Sequence, residues 1–77
     1  MSRQQTSPAA AGRSPLGDAY AAWFDAHNRC AHALRDWRSA TTAGREAAYR
    51  VYLAELDLEE AAARDLARVH MTERVAA

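Results

Sequence analysis

The sequence predicts an all-α protein: an antiparallel two-helix hairpin over residues 15–74 that assembles into a four-helix bundle as a dimer. Three observations lead there. Leu16, Tyr20, Trp23, His27, Cys30, Leu34 and Trp37 recur at alternating steps of four and three, the heptad seam of one long helix. A second stripe, Tyr49, Tyr52, Leu56, Ala63 and Leu66, returns to the helical period after a short break of Ser and Thr. Finally, the chain has only 77 residues, and one core of that size rarely supplies more than about 3–5 kcal/mol, so a staple or a partner is expected.

Cys30 is the single cysteine. No intramolecular disulfide is therefore the staple, and a lone thiol fits a reducing compartment. Near the start, Arg3 and Arg13 flank no apolar run of the secretory kind. The longest apolar run, 19–24, lies between Asp18 and Asp25, well short of the roughly 20 residues of a membrane span. A cytoplasmic protein without membrane attachment is expected. Ten Arg balance ten acidic residues, which leaves no global field to draw the chain onto nucleic acid or an anionic surface. The absence of Lys and Ile beside abundant Ala reflects a GC-rich coding sequence rather than a mechanism.

Residues 1–14 are Ser, Gln, Ala, Pro, Gly and Arg without periodicity, a composition that predicts a disordered arm. Ser14 followed by Pro15 signals a helix start, because Ser accepts from an orphan N–H and Pro has no N–H to lose. Helix 1 is predicted over about 16–39, roughly 36 Å long, with Asp18 near the positive end of the dipole and Asp25 and Arg29 as a supporting pair. A turn at about 40–42 follows, with Thr41 or Thr42 able to cap the next helix. So short a connection makes the helices antiparallel neighbours.

Helix 2 is predicted over about 43–72, with Glu46–Arg50 and Glu60–Arg64 as i, i+4 pairs. Leu53 and Ala67 widen its stripe and His70 lies near its end. Glu59 and Glu60 interrupt the stripe where apolar residues are expected. A weaker second face holds Val51, Leu58, Ala62 and Val69, so helix 2 is apolar on more sides than one neighbour can cover. Pairing two hairpins would cover both.

Chemistry is sparse. Counting back from a turn near Thr41 places His27 opposite the stretch from Leu56 to Glu60, so a polar pair with Glu59 or Glu60 is expected. Such a pair would fix register, as polar seam residues do, or make the packing sensitive to pH. His27 and Cys30 share a face at a spacing of three, but two ligands are too few for a closed metal site; no metal or cofactor is predicted, and metal or haem binding there is the last of the readings. Arg35, Arg38, Arg45 and Arg50 make the turn end basic and able to meet phosphate, although no recognition helix or stacking platform accompanies them. Gly12, Gly17 and Gly44 are scattered and form no phosphate loop. The expected function is a non-enzymatic interaction protein whose aromatic seam binds a second copy or a partner helix. A small DNA-associated regulator is the alternative.

Overall fold

The computed structural model describes residues 14–76, which form two helices packed against each other: α1, Pro15–Ser39, and α2, Arg45–Ala76. The predicted disordered arm lies outside the described residues apart from Ser14. That residue is the N-cap of α1, with extended backbone and a side-chain oxygen accepting from the Gly17 N–H at 3.0 Å. Pro15 occupies the first helical position, where its missing N–H costs no hydrogen bond. Asp18 sits in the first turn and Arg38 in the last, both matched to the helix dipole.

The connection is longer than expected. Thr41 caps a turn of its own: its hydroxyl and carbonyl oxygens both accept from the Gly44 N–H, at 3.3 and 3.1 Å. The helix proper therefore starts at Arg45, two residues after the expected start. At its other end α2 runs past Thr72, because that side chain satisfies its hydroxyl within the helix by donating to the Arg68 carbonyl at 2.9 Å.

The contact between the helices is a heptad seam, but not the one drawn by the large apolar residues. On α1 and its C-cap the inward positions are Leu16, Ala19, Trp23, Ala26, Cys30, Ala33, Trp37 and Ala40. Large residues alternate with alanine along it. The buried members are Ala19, Ala26, Cys30 and Ala33, with Ala26 only 3% exposed. Tyr20, His27 and Leu34, expected in the seam, lie one position beyond these alanines and flank it. The seam is thus rotated by about 50° from the stripe, at 100° per residue. The physical reason is size: alanine contributes little to a hydrophobic pattern, yet it lets two backbones approach, so the small edge of the stripe makes the contact.

α2 shows the same displacement. Its inward positions are Ala48, Tyr52, Glu55, Glu59, Ala62, Leu66, Val69 and Glu73, all half-buried. Tyr49 and Ala63, expected in the seam, are exposed, and Leu56 is half-buried at the edge. Ala62 and Val69 do not belong to a separate second face; they meet α1, while Val51 and Leu58 remain exposed. No residue of α2 is buried.

Candidate functional site

The middle of the seam is a polar layer between two aromatic clusters. His27 Nδ1 lies 2.9 Å from Glu59 Oε2, with side chains 49% and 22% exposed. One turn on, the buried Cys30 thiol lies beside the same carboxyl group. The His27 hydrogen bond, helped by the neighbouring Cys30 thiol, holds the Glu59 carboxyl below the usual carboxylate range although burial pushes the other way. Burial pushes the Cys30 thiol up, and the neighbouring Glu59 and Glu55 carboxylates add to that. Cys30 is accordingly a protonated, inward-facing group rather than a nucleophile. On the opposite edge, Arg29 Nε reaches Glu55 Oε1 at 3.3 Å and the same guanidinium pairs with Asp25. Two glutamates in a heptad seam are thereby matched by donors from α1.

Toward the open end, Trp23 is the hub of an aromatic group. Its ring lies 5.8 Å from Tyr20, 6.4 Å from Phe24 and, stacked, 5.2 Å from His27. Toward the turn, Trp37 packs between Tyr49 at 4.7 Å and Tyr52 at 5.7 Å. Centroid separations of this kind add to what area burial alone contributes.

These clusters open onto one broad side of the hairpin. Tyr20, His27 and Leu34 repeat every seven residues along one edge of α1, and Tyr49, Leu56, Ala63 and His70 do so along the facing edge of α2. Tyr20 and Phe24 are 55% and 52% exposed. At the open end the two edges bound a groove of about 750 Å³ whose walls include Leu16, Gly17, Tyr20, Ala63, Ala67 and His70. Arg29, Asp25 and Glu55 belong to the opposite side, so the exposed rings lie on one broad side and the Arg29 ion pairs on the other. Half of the residues expected to form the seam, Tyr20, His27, Leu34, Tyr49, Leu56 and Ala63, border the aromatic side instead. Phe24 was not among them, although it stands four residues from Tyr20, the spacing that would have found it.

Glu60 faces this aromatic side and has no hydrogen-bond or ion-pair partner among the described residues; it pairs neither with His27 nor with Arg64. Of the arginines at the turn end, Arg50 is engaged by Glu46 at 2.9 Å and Arg35 approaches His32 Nδ1 at 2.8 Å. Arg45 lines a small hollow with Trp37 and Tyr49, and Arg38 closes α1. Among the described residues no set of three or more His, Cys, Asp or Glu side chains is arranged to hold a metal ion: His27 turns its Nδ1 to Glu59 and Cys30 points into the seam. No described helix is long and apolar enough to cross a membrane. Compared with known proteins, the chain matches no family model, no curated protein and no solved structure.

Proposed function

We propose that the protein is a non-enzymatic helical interaction module that uses its aromatic side to form an antiparallel four-helix bundle with a second copy of itself. The observation that carries this reading is the mismatch between what the hairpin buries and what it displays. Its fully inward side chains are three alanines and one cysteine, whereas Tyr20, Phe24, Tyr49 and Leu53 lie open on one side. Small residues make a close contact but remove little apolar area from water. Exposed apolar side chains remain on the aromatic side, and a second hairpin laid against it would bury them on both copies at once.

The alternative occupant, a helix from a different protein, would use the same face in the helix-in-groove manner. The two are separated by the mass of the purified protein in solution. Light scattering on the eluted peak will return twice the chain mass of 8.5 kDa. A folded, helical species at the mass of one chain would remove self-association and leave the partner helix.

A further inference from the structure

The geometry points to one arrangement of the second copy: a two-fold axis parallel to the helices, with α1 of each chain lying over α2 of the other and both turns at the same end. This inference rests on the dimeric reading above and adds to it which helices meet and at what level.

Two hairpins laid face to face can be related by a two-fold axis either along the helices or across them. Along the helices, every residue keeps its level, so α1 meets the partner's α2. Across them, levels are inverted and each helix meets its own copy. The two choices place different side chains together. His27 touches Glu59 in the hairpin, so Glu60 stands at the same level, close to the middle of both helices.

With the axis across the helices and the hairpins fully overlapped, Glu60 meets Glu60 of the partner subunit. Two carboxylates would then be brought together at the centre of that face, while His27 meets its own copy instead of a carboxylate. With the axis along the helices, Glu60 meets His27 instead. His27 spends Nδ1 on Glu59, and its other ring nitrogen has no hydrogen-bond partner among the described residues. The second ring nitrogen then faces the Glu60 carboxylate of the partner subunit while Nδ1 keeps Glu59. The one unpaired charge in the middle of the aromatic side thus acquires a partner.

Bulk matches in the same arrangement. The groove at the open end is wide because Gly17, Ala63 and Ala67 carry almost no side chain there. At that level α1 offers Tyr20 and Phe24, the two large exposed rings. An axis along the helices seats those rings over the partner's alanines, large on small, as close packing of facing layers requires. An axis across the helices would instead lay Tyr20 on Leu34 of the partner subunit, with Leu53 rather than a ring over Ala67, and leave Tyr20 and Phe24 away from Ala63 and Ala67.

Cross-linking of the full chain tests this. In a Cys30→Ala background, a mixture of His27→Cys and Glu60→Cys proteins is expected to form a disulfide between unlike chains under mild oxidation, while Glu60→Cys alone does not. A disulfide that forms readily in Glu60→Cys alone would overturn the arrangement. A second measurement leaves the face untouched: spin labels on Ala43→Cys, an exposed turn position, report the distance between the two turns. Turns at one end place the labels much closer than a helix length. A separation of ~37 Å or more, the span of 25 residues at 1.5 Å each, would overturn the proposal while keeping the dimer. Labels that show no intermolecular coupling in a protein that sediments as a single chain would instead overturn the dimeric reading itself.

Discussion

His27 and Glu59 meet across the two helices at 2.9 Å, with the buried Cys30 thiol beside the same carboxyl group. A glutamate at an inward heptad position is thus converted from a defect into a register mark, since sliding either helix by a turn would separate it from His27. Its pH consequence has a definite sign. The folded-state carboxyl is held below its ordinary value, chiefly by the His27 hydrogen bond. Its contribution to stability is therefore full above about pH 4.3, the ordinary glutamate value, and is lost as pH falls through the lower folded value. Glu59→Gln is expected to flatten that acid limb of a denaturation-against-pH series. His27→Leu should cost about 1 kcal/mol at neutral pH, the small figure reflecting a half-exposed pair.

The alanine seam makes a prediction that runs against ordinary core repacking. Adding bulk at Ala26 or Ala33, both almost fully inward, pushes the helices apart along their whole length. Ala26→Leu or Ala33→Leu should destabilise the hairpin by about 1–3 kcal/mol, read from urea midpoints, although either change raises hydrophobicity and helix propensity is nearly unaffected.

Removing the N-cap isolates a local contribution. Ser14→Ala deletes the acceptor of the Gly17 N–H and should cost about 1 kcal/mol. Fraying of the first turn, seen as faster amide exchange at Gly17 and Asp18, is the accompanying sign. Ser14→Asp should restore protection, because a carboxylate both caps and favours the dipole.

The hairpin and its two-period pattern are legible in the residues, and the reason is physical: Leu16, Trp23, Cys30 and Trp37 are both prominent in the sequence and inward in the structure. What escaped was the partner edge of the stripe. Tyr20, His27 and Leu34 dominate any count of apolar size, so they draw the stripe toward themselves, whereas Ala19, Ala26 and Ala33 dominate contact because they are small. The same competition hides Ala62 and Val69 on α2 and leaves Tyr49 and Ala63 outside the seam. The level of His27 against the stretch ending at Glu60 followed from counting through the turn. Which glutamate it touches did not, since one residue of helix rotation decides between an inward Glu59 and an outward Glu60. Glu55 was equally hidden, because its partner Arg29 reads as the mate of Asp25 within α1, and the guanidinium serves both.

The two broad sides should respond differently to charge. Phe24→Arg places a cation on the open-end half of the aromatic side and is expected to reduce the solution mass to that of one chain. Leu58→Arg, on a comparably exposed leucine away from that side, should leave the mass unchanged. Equal effects from the two substitutions would mean that the aromatic side has no special part in association.

The most direct measurement is the thermal unfolding midpoint followed over a hundredfold range of protein concentration. A second copy that binds only the folded hairpin stabilises it by mass action, so the midpoint should climb steadily with concentration and do so less in Phe24→Arg. A midpoint that stays fixed across the range, with full helicity at the lowest concentration, would mean that the alanine seam and its polar layer hold the hairpin alone, and would contradict the dimer.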